Sequence, residues 1–406
     1  MKAKQAIIVG GSIAGLFSGI RLLQRGWQVT IIEKSKHALA ARGTGIARHT
    51  ELENLLDYIG ISPDKTVGIN VTGRTAFDRR GTITATFDLP QRLGAWNRVF
   101  EPLLAAFPPE RYLMGEAFET TSSTGTKALV RTKTGLKLEG DIVIGADGFN
   151  SDVRRFVAPG CRPVYGGYVA WRGVSEERDL SEHFMKNVFS HYAFLFTSQS
   201  LLIGYPMAGG DGSVEEGRRR YNYLWYYPTN TRDLEDMLTD TTGKVHKLGI
   251  PPPLIRPEIF KQLYKNARER MPEKFLEAVT ASSSSIFQPI YDVRSDRLHK
   301  GNVVLAGDAA FVARPHVGVG VLKAAQDAIA LADALGDCET LTEALDRYSS
   351  ERLVPGKGAV DHGRLLGSFI ERGLDSPEDD PSLNLPVERI IRVSGRPFEH
   401  VLQQEL

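Results

Sequence analysis

Glycines and acidic residues at fixed places carry the first chemical signal in this chain. Gly10-Gly11-Ser12-Ile13-Ala14-Gly15 stands between a short apolar run, Ala6 to Val9, and a stretch whose Ile13, Leu16, Ile20 and Leu23 recur at helical spacing. Gly10 permits a tight turn and Gly15 lets helix and strand approach. The helix start at Ser12, Ile13 and Ala14 offers unpaired amides and a partial positive charge to a diphosphate. Ser12 occupies the usual second-glycine position, and its hydroxyl can cap the helix or donate to a phosphate. Glu33 closes the next β-branched run, Val29 to Ile32, about 20 residues on, where a carboxylate accepts from an adenosine ribose and disfavours a 2′-phosphate. Lys34 beside it joins the same set. Together these residues read as a dinucleotide site, without separating FAD from NAD.

Two further signals follow apolar runs. Gly145-Ala146-Asp147-Gly148 continues to Arg154 after Asp141–Ile144, and Gly307-Asp308-Ala309-Ala310 follows Asn302–Leu305. Either aspartate alone fits a turn or helix cap. The ordered set of three resembles the single-component flavoprotein aromatic hydroxylases, the fold group of para-hydroxybenzoate hydroxylase, from residue 1 to about 350.

The resemblance implies an α/β fold of mixed α+β character: a Rossmann-like FAD-binding domain, a discontinuous and mostly antiparallel substrate sheet, and C-terminal helices. It places Asp147 near the FAD diphosphate and the nicotinamide path, and Asp308 at the ribityl chain. In Arg314-Pro315-His316-Val317-Gly318-Val319-Gly320-Val321-Leu322, it sets Pro315 beside the flavin ring and the amides near Gly320, Val321 and Leu322 at the flavin N1 and O2 edge, with Gly318 in the same loop. A helix N-terminus there suits the charge of a reduced flavin. Leu322 stands where the group has asparagine, and Val317 where it has glycine. Arg42, in Ala41-Arg42-Gly43-Thr44-Gly45, falls on a loop that borders FAD in the group. The softer motifs Tyr168-Val169-Ala170-Trp171-Arg172-Gly173-Val174, Tyr205-Pro206 and Arg314-Pro315-His316 are most similar to the 2,6-dihydroxypyridine hydroxylases, which points to a hydroxypyridine or phenol-like ring.

Chemistry of this kind holds a flavin C4a-hydroperoxide in a dry pocket against an electron-rich ring, and a base that removes a ring proton speeds transfer. His316 is the first candidate for that proton, on the premise of an unperturbed pKa near neutrality; a helix-start histidine bonded to backbone is the alternative. Pro315 places it. His191, Tyr205, Tyr223 and Trp225 lie on strands of the second domain as substrate-pocket candidates, against ordinary core packing. Arg172 can hold an anionic substrate group or a buried carboxylate. The cofactors implied are tight, non-covalent FAD and a transient NADH or NADPH, since no second glycine fingerprint occurs. The partners are O2 and a small aromatic substrate, and a homodimer is left open.

The elements that must position these residues are read from periodicity. Residues 1–72, 98–164 and 286–352 are assigned to the FAD domain, 73–97 and 165–285 to the substrate sheet, and 353–406 to a C-terminal helical and extended segment. Ala128–Thr132, Asp141–Ile144 and Asn302–Leu305 are expected to join the first sheet. Tyr165–Gly173, Tyr192–Tyr205 and Tyr221–Tyr227 alternate as antiparallel strands, with a turn at Gly209–Ser213 and an extended connector at Pro251–Pro253. Helices are expected over Val321–Leu335 and Leu341–Leu353, then an exposed Ser376–Pro386 and a last short helix.

At 406 residues, 42% hydrophobic and 24% charged, with a net charge of +1, the chain reads as two packed globular domains with no nucleic-acid footprint. Cys161 and Cys338 suit neither a disulfide framework nor a metal site. Gly10-Gly11-Ser12 interrupts the N-terminal apolar run too early for a signal peptide, and no stretch approaches the ~20 residues of a membrane span, so a cytoplasmic location is expected. Competing readings share the FAD pattern: a halogenase, an isoprenoid reductase, or a non-catalytic flavin-bearing redox sensor. Leu224–Pro228 does not supply the Trp-x-Trp-x-Ile segment expected of a halogenase.

Overall fold

The structure is a computed structural model, and it describes residues 4–37, 45–62, 68–282, 284–371 and 386–396. Among these residues, no helix is long and apolar enough to cross a membrane.

Strand Gln5–Val9 is flanked in parallel by Gln28–Glu33 on one side and Ile142–Gly145 on the other, with Val303–Leu305 and Tyr112–Met114 next outward and the short His299–Lys300 antiparallel at one edge. The inner strands are near-continuous apolar runs because both faces of the sheet are buried. Helix Ile13–Gln24 packs on this sheet and against helix Gly320–Asp337. The three turns that follow Val9, Ile144 and Leu305 therefore open at the same carboxyl edge of the sheet. Ala128–Thr132 does not join them. It is the middle of a separate antiparallel sheet with Phe118–Ser123 and Lys137–Gly140, and its alternating burial explains why: two of its five side chains, Leu129 and Arg131, face solvent, which a central parallel strand does not allow.

The second sheet has nine strands, in the order Phe311–Val312, Ile286–Arg294, Val164–Glu176, Arg220–Pro228, Ser200–Met207, Tyr192–Thr197, Ile69–Phe77, Ile83–Ala95 and Gly45–Arg48. All its pairings are antiparallel except Tyr192–Thr197 on Ile69–Phe77. Three of these strands, Gly45–Arg48, Ile286–Arg294 and Phe311–Val312, come from segments assigned by sequence to the FAD domain. The Gly209–Ser213 turn is present, closed by Gly209 N–H donating to the Ser213 carbonyl at 2.8 Å.

Register sorts this sheet into two faces. Trp171 pairs with Trp225, which pairs with Leu202; Tyr223 and Tyr221 share that face, and the helices Pro257–Arg270 and Glu273–Thr280 cover it. The other face carries Tyr168, Ala170, Arg172, Leu224, Tyr226, Ile203 and Tyr205, packed with Ile370 and Ile391 of the C-terminal helices.

Two sequence expectations give way to packing. Pro251–Pro253 is not simply extended: Pro252–Leu254 forms a 3-10 turn, for which the fixed proline φ is already suited. Helix Leu341–Glu371 runs through Pro355 instead of stopping at Leu353. Burial of Val360, Leu366 and Ile370 outweighs the roughly 3 kcal/mol cost of an internal proline. Beyond it, the short final helix is Val387–Val393, and Ser376 to residue 385 lies outside the described residues.

Trp225 is 1% exposed and its Nε1–H donates to Ser200 Oγ at 3.0 Å, so it belongs to the helix-covered core. Trp225→Ala is expected to lower the unfolding free energy by about 3–5 kcal/mol in denaturant titration. A loss under about 1 kcal/mol would contradict this placement.

Candidate functional site

The first turn is closed by contacts that only glycine allows. Gly10 has φ +107°, and a Cβ there would lie 2.3 Å from the Ala146 carbonyl oxygen; a Cβ on Gly15 would lie 2.0 Å from the carbonyl oxygen of Gly10. Glu33 is buried, with Oε2 accepting from Gly11 N–H at 3.0 Å and Oε1 from Ser35 N–H at 2.8 Å. The Tyr112 hydroxyl donates to the Gly11 carbonyl at 2.8 Å. Ser12, at the N-cap of helix Ile13–Gln24, does not use its hydroxyl as a cap and lines the cleft, and the amides of Ile13 and Ala14 beside it have no intrahelical acceptor. The cleft, of about 460 Å3, is lined by Gly10, Ser12, Glu33, Lys34 and, from across the fold, Lys133 and Asp147.

The Asp-Gly segment is rigid. Asp147 Oδ1 accepts from Ser151 Oγ–H at 2.5 Å and Oδ2 from the amides of Asp152 and Val153 at 2.7 and 3.2 Å, so it fixes the start of helix Val153–Val157. Burial nonetheless raises its pKa. The buried Arg154 then joins this segment to the third signal, donating to the carbonyls of Phe149 at 2.8 Å and Ala309 at 3.1 Å.

In the Gly-Asp segment, Gly307 has φ +63°, and a Cβ there would lie 2.7 Å from the Cβ of Ala14. The third turn thus touches the opening of the first helix. Its amide donates to Asp327 Oδ2 at 3.1 Å, and buried Asp327 is in turn held by Lys323 and Arg352 at 3.2 and 2.8 Å. Asp308 differs from these. It is exposed to solvent, desolvation by surrounding protein raises its pKa, and it makes no side-chain hydrogen bond among the described residues. An acceptor left open beside a helix N-terminus fits a polyol chain.

The loop beyond is pinned from several sides. Pro315 opens a 3-10 turn that Gly318 ends in the left-handed region at φ +60°. Arg314, buried, donates to Asp292 Oδ2 at 3.2 and 3.1 Å, and Arg364 holds the other oxygen of Asp292. His49 Nε2 lies 3.1 Å from the Gly318 carbonyl. His316 Nε2 lies 2.8 Å from the Tyr168 hydroxyl, and its ring rests on Tyr226 with centroids 4.1 Å apart. Burial first, and then the nearby Arg314 and His362, pull the His316 pKa down to about 3. Against the expectation of an unperturbed imidazole, burial favours the neutral ring, and its tautomer sets which partner donates in the Tyr168 hydrogen bond. Gly320, Val321 and Leu322 open helix Gly320–Asp337 next to this loop, with Leu322 buried in the first core.

The five substrate candidates divide between faces. Tyr205 and Arg172 share the face of Tyr168 and Tyr226. A Cβ on Gly45 would lie 2.4 Å from the Tyr205 hydroxyl, so the strand after the Arg42 loop crosses that ring; Arg42 itself lies outside the described residues. Arg172 Nη1 donates to Gln288 Oε1 at 3.0 Å, its Nε is buried without a partner, and among the described residues it has no carboxylate partner. Tyr223, Trp225 and His191 lie on the helix-covered side, each occupied: Tyr223 by Ser285 at 2.7 Å, Trp225 by Ser200, and His191 by Thr75 at 3.1 Å and the edge of Phe77.

Sequence reasoning missed Tyr226, Asn222 and the structural weight of Tyr168 and Arg314. Asn222 stands opposite Tyr205, 1% exposed, with neither amide atom hydrogen-bonded. Period-two alternation separates Tyr226 from Tyr223 and Trp225, but it does not say which set faces the cofactor fold. Among the described residues no group of three or more His, Cys, Asp or Glu could hold a metal.

The fold and these turns define a mixed α/β FAD-binding monooxygenase architecture. The family described as FAD binding domain-like matches residues 165–292. The 2,6-dihydroxypyridine 3-monooxygenase of Paenarthrobacter nicotinovorans is 27% identical over 388 residues, 94% of this chain and 96% of the relative. The solved structure of 2,6-dihydroxypyridine-3-hydroxylase from Arthrobacter nicotinovorans superposes with a TM-score of 0.86 at 27% identity, covering 95% of this chain and 97% of that one. Klebsiella pneumoniae HpxO, solved with FAD and uric acid, shares the fold at TM-score 0.76 and 18% identity, covering 99% of this chain and 95% of its own. Over most of its length the chain is thus similar to FAD-dependent aromatic monooxygenases.

A histidine buried neutral has a folded pKa below its unfolded one, so its contribution to stability is complete above pH 6.5 and is lost as pH falls toward about 3. Denaturant titrations at several pH values are expected to show wild-type stability falling over that window and His316→Gln losing part of the dependence. Parallel curves for the two proteins would contradict the burial argument.

Proposed function

We propose that this chain hydroxylates an electron-rich, hydroxypyridine-like or phenolic ring with FAD, O2 and a transient NADH or NADPH. The observation that carries the reading is spatial. The first two nucleotide turns line one cleft, the third packs on the first where Gly307 meets Ala14, and the Pro315–Gly320 loop rests through His316 on an aromatic sheet face that also bears Arg172, without a carboxylate partner among the described residues. The residues fit FAD: amides of Ile13 and Ala14 with Ser12 for the diphosphate, Glu33 and Lys34 at the adenosine end, Asp147 through its rigid loop, the open acceptor of Asp308 for the ribityl chain, and Gly318 to Leu322 for the ring edge. Bound FAD supplies electrons taken from the nicotinamide and the activation of dioxygen.

The chain's own part is orientation and charge. Arg172, on a face otherwise built of Tyr205, Tyr226, Leu224 and Ile203, would bind a ring oxygen in its anionic form. A cation within about 4–6 Å lowers the pKa of such a group by about 1–3 units, which loads electron density onto the carbon under attack without a dedicated base. Tyr205 flanks the ring, and Pro315 excludes water beside it. His316, already neutral and engaged by Tyr168, serves as a positioning residue that fixes the Pro315 turn to the sheet.

The test is a panel of hydroxypyridines and phenols added to purified protein, following NAD(P)H oxidation and product mass. Stimulated oxidation with a product one oxygen heavier is expected; no stimulation by any ring would refute the reading. For the ring so identified, Arg172→Met should raise KM by about 10- to 100-fold, the factor for losing a charged hydrogen bond, with FAD retained. Tyr223→Phe should leave KM unchanged, and the reverse pattern would reassign the substrate face.

A further inference from the structure

One buried cation has no part in the reading above. Arg74, on strand Ile69–Phe77, is 1% exposed and has no carboxylate partner among the described residues. Its Nε and Nη2 donate to Gln91 Oε1 at 3.2 and 2.7 Å, and its guanidinium lies over the rings of Tyr192 and Phe194. The remaining donor, Nη1, gives a 2.6 Å hydrogen bond to the carbonyl of Ile391, in the last turn of helix Val387–Val393. Orphan carbonyls at a helix C-terminus attract cations, and here the cation comes from the substrate sheet. Burial pulls its pKa down to about 10, so it stays charged at neutral pH.

Just past that helix the chain reaches the cofactor-facing loop. Gly395 N–H donates to the His316 carbonyl at 3.0 Å. A Cβ on Gly318 would lie 2.7 Å from the Cα of Gly395, and both glycines are left-handed, at φ +60° and +61°. A Cβ on Gly395 would itself lie 3.5 Å from Arg74 Nη2 and 4.0 Å from the Tyr192 hydroxyl. Tyr192 in turn packs edge-on against Tyr205, with centroids 5.3 Å apart. Residues 391–395 therefore span from Arg74 to the His316 turn across one end of the aromatic face.

We propose that Arg74 is a positioning residue: it anchors the C-terminal segment so that Ile391 to Gly395 walls the substrate face and braces the Pro315–Gly318 turn against the flavin ring. The inference rests on the proposed function for the location of the ring and substrate. Losing the wall would admit water beside the flavin, so that electrons pass to peroxide in place of product.

The experiment uses the full-length FAD-loaded protein and three variants: Arg74→Met, Arg74→Lys and Gly395→Val. The last strains a left-handed position and leaves the buried arginine in place. Removing a charged hydrogen bond shifts the docked segment toward undocked by roughly tenfold or more. Iodide quenching of flavin fluorescence and the share of NAD(P)H electrons recovered as peroxide should both rise in Arg74→Met and Gly395→Val, and Arg74→Lys, which keeps a donor for Ile391, should recover much of the wild-type behaviour. Wild-type quenching and coupling in a folded Arg74→Met would overturn the proposal; if that variant does not fold, the same result in Gly395→Val does so. Should no ring stimulate the wild-type enzyme, the proposed function fails, while iodide quenching still decides the role of Arg74.

Discussion

Much of this molecule follows from how closely three backbone turns approach one another. Gly10 lies against the Ala146 carbonyl, Gly15 against the carbonyl of Gly10, and Gly307 against Ala14, each nearer than any side chain would permit. These approaches bring a helix N-terminus, an Asp-Gly loop and a carboxylate without a partner among the described residues to one carboxyl edge of a parallel sheet, where open α/β sheets hold their ligands. The polar groups behind the turns keep them there: Glu33 behind the first, Arg154 between the second and third, and Asp327 beneath Gly307. A larger residue at Gly15 would have to move a strand.

The second constraint is the contact between that edge and the nine-stranded sheet. The loop Arg314 to Gly318 is central to it, through an ion pair to Asp292, an imidazole against Tyr168 and Tyr226, and carbonyls that receive His49 and Gly395. Buried and fully engaged groups of this sort confer position more than net stability. The loop therefore ties the geometry of the cofactor fold to the aromatic face, beside the apolar packing of helix Leu341–Glu371.

What was legible in the sequence is what depends on neighbours in the chain. The Gly10 turn, Glu33, and the Gly-Asp segments have local meaning, since each needs only a strand before it and a helix or turn after it. Ala128–Thr132 was misplaced because its alternation of buried and exposed positions, a sign of a half-solvated strand, was outweighed by its apolar composition. Trp225 and Tyr223 stand out by residue type, whereas register, which no single strand contains, sets Tyr226 and Arg172 on the opposite face with Tyr205. Arg74 gave no signal, because its meaning rests on Ile391, far along the chain. His316 was noticed for its position, but its neutrality comes from burial among groups distant in sequence.

The central claim is that these turns form one FAD site. Apoprotein titrated with FAD, followed by the change in flavin fluorescence, tests it most directly. Saturable binding at one FAD per chain, abolished by Gly15→Val, is the predicted result; a properly folded wild-type chain that takes up no FAD would contradict the account.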